Sequence, residues 1–89
     1  MFIIINKCYG GFHIPAPICE ATGLRPYEDI DRTDSRLVEF VRERGGDYRE
    51  GSSRLVLVEV PEEATDWELN EYDGFESIIY VVDGKLYHT

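Results

Sequence analysis

Hydrophobic and polar residues alternate along this chain with two different periods, which predict both helices and strands. The clearest helix is predicted over residues 35–44, because apolar side chains recur there three and four positions apart and share one face: Leu37, Val38, Phe40 and Val41. Thr33 or Asp34 can cap its first turn, and Gly45-Gly46 is expected to end it. A shorter helix is predicted from Pro17 to Gly23.

Four segments have the composition or the two-residue period of strands. Residues 2–6 are an apolar run rich in isoleucine, which is typical of a buried strand. Residues 55–60 are apolar on both faces, so we expect a central strand that is covered on both sides. Residues 67–72 alternate and predict a half-exposed strand. Residues 78–88 predict a hairpin around Asp83-Gly84, a pair that favours a tight turn.

These elements predict an α+β fold in a single domain spanning residues 1–89. We expect one antiparallel or mixed sheet of four to five short strands, with one main helix and a short N-terminal helix. Residues 24–32 and 47–53 are expected to be charged or polar loops.

The net charge of −9 is unevenly distributed. Residues 25–54 hold seven of the nine basic side chains and eight acidic ones, whereas residues 55–84 hold nine acidic side chains and no lysine or arginine. This charge disfavours direct binding to nucleic acid and favours basic partners, although an acidic surface also serves solubility alone. The two cysteines, the absence of an N-terminal secretion signal and the lack of a long apolar run predict a cytoplasmic protein with reduced thiols.

The most unusual stretch is a glycine-containing loop after the first strand. Two glycines allow a ligand to approach the backbone closely, and a thiol there is a potential nucleophile, with His13 and His88 as potential bases. The simpler interpretation is a small core thiol and a glycine turn. The alternative ligand loop comprises Cys8, Tyr9, Gly10, Gly11 and Phe12.

Neither an enzyme nor a metal protein is predicted. The sequence has no nucleophile motif and no phosphate-binding fingerprint. The cysteines and histidines lack the spacing of zinc ligands, and the acidic segment lacks the spacing of a calcium loop. We therefore expect no enzymatic activity, no cofactor and no metal.

The sequence resembles a family of small proteins from bacteriophages, prophages and other mobile elements. The resemblance spans nearly the whole chain and rests on four segments: Ile5-Asn6-Lys7-Cys8-Tyr9-Gly10-Gly11-Phe12, Arg32-Thr33-Asp34-Ser35-Arg36-Leu37-Val38-Glu39, Val58-Glu59-Val60-Pro61 and Trp67-Glu68-Leu69-Asn70-Glu71-Tyr72-Asp73-Gly74-Phe75-Glu76. The chain departs from the family at Ile14-Pro15-Ala16, where relatives place a serine that would cap the short helix.

By analogy with other small acidic proteins of mobile elements, the resemblance implies an inhibitor of host defence in the bacterial cytoplasm, such as an anti-CRISPR protein. The expected partner is a basic surface on a nucleic-acid-handling protein, with Cas9 as the first candidate. The alternatives are a binder of a small nucleotide-derived ligand at the glycine loop and a phage accessory protein without such activity. The expected partner-binding residues are Glu62, Glu63, Asp66, Trp67, Glu68, Glu71, Tyr72, Asp73 and Glu76.

Overall fold

Helices and strands are arranged in two small sheets and two helices within the part of the chain that the structure describes. The computed structural model describes residues 1–9, 11–26 and 30–89. The elements are β1 (Phe2–Asn6), α1 (Ala16–Thr22), α2 (Ser35–Arg42), β2 (Asp47–Glu50), β3 (Ser53–Glu59), β4 (Asp66–Tyr72), β5 (Phe75–Val82) and β6 (Lys85–His88).

The α+β class is confirmed, but the prediction of one sheet of four to five strands is wrong. The strands form two antiparallel three-stranded sheets: sheet A in the order β1-β3-β2 and sheet B in the order β4-β5-β6. Sheet B is a separate meander because Asp73-Gly74 makes a second tight turn, with φ of 51° and 84°, in addition to the predicted turn at Asp83-Gly84. The loop predicted over 47–53 instead contains β2, which folds back onto β3 around Gly51.

Both predicted helices are present. The Asp34 carboxylate accepts a hydrogen bond of 2.9 Å from the backbone N–H of Arg36 and so caps α2. The helix ends at Arg42, two residues before the predicted end, and the N–H of Gly46 returns to the carbonyl of Val41 at 2.9 Å. The short helix α1 ends at Thr22 and is followed by Gly23, which caps it with a φ of 79°.

Two apolar clusters lie on opposite faces of sheet A. The first packs α1 and α2 against one face and includes Ile4, Leu37 and Leu55; the second lies between sheets A and B and includes Val58 and Ile78. The central strand β3 contributes to both clusters, so the predicted burial of this strand on both sides is confirmed. The described residues therefore form three layers: helices, sheet A and sheet B.

Candidate functional site

A junction between the two sheets is formed by Asn6 and Gly11 of the N-terminal motif, residues 5–12, together with Arg32, Gly74 and Glu76. Asn6 is the last residue of β1 and is almost completely buried. Its side-chain amide donates hydrogen bonds to the carbonyl of Gly74 at 2.7 Å and to that of Cys8 at 2.9 Å. One side chain thus links the end of β1 to the turn between β4 and β5.

The carboxylate of Glu76 is the centre of this junction. It accepts a hydrogen bond of 2.7 Å from the backbone N–H of Asn6 and two from the guanidinium of Arg32, one of them at 2.8 Å. Glu76 is only 4% exposed, so its charge needs this bidentate partner. Glu76, one of the expected partner-binding residues, is therefore buried and bonded to Arg32 and does not lie on the exposed acidic surface. The sequence did hold a signal of this burial, because Glu76 alternates with Ile78 and Tyr80 and so shares the buried face of β5.

Gly74 shows how closely the two segments approach. A Cβ atom built at this position would lie 2.5 Å from the backbone nitrogen of Gly11 and 2.8 Å from its Cα, and Gly74 also has a positive φ of 84°. Only glycine combines that conformation with that approach. The backbones of Gly11 and Gly74 are accordingly packed directly against each other.

The alternative ligand loop receives no support from this geometry. The Cys8 thiol donates to the side-chain oxygen of Asn6 at 3.0 Å, and Phe12 lies beneath the guanidinium of Arg32 at 3.5 Å, while Gly10 falls outside the described residues. The surface depression beside Tyr9 is lined by the acidic residues Glu71 and Asp73. Carboxylates there repel the phosphate of a nucleotide-derived ligand, and Arg32 is already bonded to Glu76.

The other expected partner-binding residues divide between the turn before sheet B, the two faces of β4 and the turn after it. By strand register Trp67 faces Tyr80 and Glu71 faces Glu76, on the inner face that meets sheet A. Asp66, Glu68 and Tyr72 lie on the opposite, outer face. Glu62 and Glu63 are exposed in the turn before β4, and Asp73 is exposed in the turn after it. The sequence predicted this alternation but not which side is covered.

All but one of the carboxylates in residues 55–84 are exposed. Eight of the nine acidic side chains in residues 55–84 are exposed, namely Glu59, Glu62, Glu63, Asp66, Glu68, Glu71, Asp73 and Asp83. None of these eight forms an ion pair with a described residue. Residues 55–89 contain nine acids and one base, so they carry −8 of the net charge of −9.

Several charged side chains among the described residues of 1–54 are paired with each other. Hydrogen bonds from the Arg36 side chain hold the pKa of the Asp34 carboxyl below its usual value, and those from Arg54 lower the pKa of Asp47. On α2, Arg42 pairs with Glu39 at 2.7 Å. The two parts of the molecule therefore differ in charge: residues 1–54 hold eight basic and nine acidic side chains, several of them in ion pairs, whereas sheet B with its preceding turn presents uncompensated negative charge.

A second candidate site is a cleft of about 550 Å³ beside α1, which sequence analysis missed. The hydroxyl of Ser53 lies 2.7 Å from Nε2 of His13 in its wall, an arrangement from which a nucleophile can be activated. Ser53 is itself buried, however, so this bond fastens the hairpin between β2 and β3 to the segment before α1. Only the pairing across 40 residues reveals it, and no local pattern around Ser53 signals it.

Neither a cluster of potential metal ligands nor a membrane-spanning helix is found in the described residues. Over residues 1–9, 11–26 and 30–89, no three His, Cys, Asp or Glu side chains are grouped to hold a metal ion. No helix in this part of the chain is both long and apolar enough to cross a membrane. Comparisons with protein-family models, with curated proteins and with solved structures found no match for the chain.

Proposed function

We propose that this chain is a binding protein that docks the acidic surface of sheet B on a basic surface of another protein. The observation that carries the proposal is the set of eight exposed carboxylates that form no ion pair with a described residue, seven of them in sheet B or the turn before it. Residues 1–54, in contrast, have nearly balanced charge and several ion pairs. Complementary charge of this kind accelerates encounter and selects partners.

The class of partner follows from the sign and density of the charge. Proteins that hold nucleic acid do so in basic channels, where carboxylates spaced along a strand can take the place of phosphates. The resemblance to proteins of phages and mobile elements supports a partner in host defence. We therefore propose inhibition of a CRISPR effector, with Cas9 as the first protein to test.

The direct experiment is co-purification of the chain with Cas9, with and without guide RNA, together with a DNA-cleavage assay over a salt series. We expect a complex at low salt that weakens as salt rises, because exposed charges are screened within about 10 Å at 0.1 M ionic strength. Failure to form a complex at low salt, either with or without guide RNA, would refute the choice of Cas9.

A pair of matched variants tests whether the acidic surface of sheet B is responsible. The first variant neutralises Glu62, Glu63, Asp66 and Glu68 by amide substitution. The control removes the same number of charges from exposed glutamates elsewhere, namely Glu20, Glu39, Glu43 and Glu50. We expect the first variant to lose binding by at least about tenfold and the control to bind within about threefold of the wild type. Equal losses would show that net charge alone matters.

A further inference from the structure

We infer that the centre of this contact is the outer patch of sheet B, formed by Asp66, Glu68, Ile79, Val81 and Leu86, and that it receives an arginine or lysine side chain of the basic partner. This inference rests on the proposed function. It goes further by choosing one face of the sheet over the other and by naming the chemistry of the group that binds there.

Strand register places these five side chains together. Asp66 is opposite Val81, Glu68 is opposite Ile79, and Val81 is opposite Leu86, so all five lie on the outer face. Ile79, Val81 and Leu86 belong to neither of the apolar clusters, and Leu86 is 74% exposed. An apolar surface bordered by two carboxylates is thus left open to solvent in the described part of the molecule.

The size of the depression between these side chains limits what can fill it. Its volume is about 80 Å³, whereas sites for whole small molecules span roughly 300–1,000 Å³. A single side chain is a better match. Arginine and lysine have an apolar stem that can lie on Ile79 and Val81, while the charged end reaches the carboxylate of Asp66 or Glu68.

A second copy of this chain is a poor occupant of the same patch. A symmetric contact would bring Asp66 and Glu68 against the same five side chains of the other copy, none of which is basic, so the carboxylates would gain no partner of opposite charge and would repel each other. Carboxylates on an edge strand also discourage aggregation, but that role does not require apolar side chains beside them. Charge and apolar surface together favour a basic protein.

The experiment compares two double variants with equal charge change, using Cas9 without guide RNA as the binding probe. Asp66→Asn/Glu68→Gln removes the carboxylates of the outer patch. Glu62→Gln/Glu63→Gln removes two carboxylates from the preceding turn. We expect the first to weaken binding about tenfold and the second by less than about threefold. A third variant, Leu86→Thr, alters no charge and should also weaken binding about tenfold.

Poly-L-lysine serves as a second probe, because its binding reports only net charge. Both double variants should lose the same small amount of affinity for it. Equal losses of Cas9 affinity in the two double variants, or unchanged binding by Leu86→Thr, would overturn the outer patch as the centre and leave the proposed function standing. No binding of wild-type protein to Cas9 would overturn the choice of Cas9 and, with it, the outer patch as the centre of that contact.

Discussion

Replacing Glu76 with glutamine should remove a large part of the stability of this protein. The substitution keeps the size of the side chain but takes away the charge that three donors share, two from Arg32 and one from the backbone of Asn6. It also turns one acceptor into an amide N–H₂ that faces those donors. The Arg32 guanidinium then stays in a mostly buried position without a counterion.

Breaking a buried ion pair by removing one partner costs about 3–5 kcal/mol. The Arg32 side chain is 23% exposed and keeps some water, so we expect the lower end, about 3 kcal/mol. A domain of this length has roughly 4–13 kcal/mol of stability in total. The melting temperature should therefore fall by about 12–24 °C, given about 4–8 °C per kcal/mol for small domains.

Urea unfolding of the two proteins at pH 7, followed by circular dichroism, measures this difference. Glu68→Gln is the matched control, because it makes the same chemical change on an exposed position of the same sheet and should shift stability by less than about 0.5 kcal/mol. A loss below about 1 kcal/mol for Glu76→Gln, with an unchanged dependence on urea, would refute the assigned role of the junction.

Two further predictions concern local structure. Gly74→Ala and Gly84→Ala both place a side chain at positive φ, but a Cβ at Gly84 meets no atom within 4 Å. We expect urea unfolding to show a loss of stability of about 1–2 kcal/mol for Gly84→Ala and about 1–3 kcal/mol more for Gly74→Ala. Equal losses in the two variants would contradict the close contact between Gly74 and Gly11. Asp34→Ala should cost about 1 kcal/mol through loss of the α2 cap, whereas Asp34→Asn, which retains a cap, should cost about 0.5 kcal/mol or less. Because the pKa of Asp34 is lowered in the folded protein, the stability that its charge contributes is present above the unfolded pKa of about 3.9 and is lost as pH falls through the folded value. The difference between wild type and Asp34→Asn should therefore vanish in unfolding curves measured well below that pH.

Elements governed by local rules were predictable from the sequence. The period and cap of α2, the two-sided burial of β3 and the turn at Asp83-Gly84 all depend on residues close together in the chain, and the structure confirms them. The strand β2 was missed because Asp47–Glu50 is almost entirely polar and is a strand only through its pairing with β3. Whether such polar segments form strands is decided by their pairing with other strands.

The candidate site was less predictable, because its geometry depends on distant pairs. Glu76 and Arg32 are 44 residues apart, so no sequence pattern near Glu76 identifies Arg32 as its partner. The acidic character of residues 55–84 was visible in the sequence, and so was the alternation of β4. The covered face of that strand depends on how sheet B packs against sheet A, which composition does not determine.

The junction has a consequence for how such a chain can diverge. Its members come from three distant parts of the sequence, and a change in Arg32 or Glu76 leaves the other without its charged partner, so these two positions are expected to change only together. The outer side chains of β4 are not bonded to buried groups in this way. Under the proposed function, chains that share the N-terminal motif are expected to inherit the same framework while binding different partners at sheet B. The motif would then indicate common ancestry, and the composition of the outer patch would indicate the class of partner.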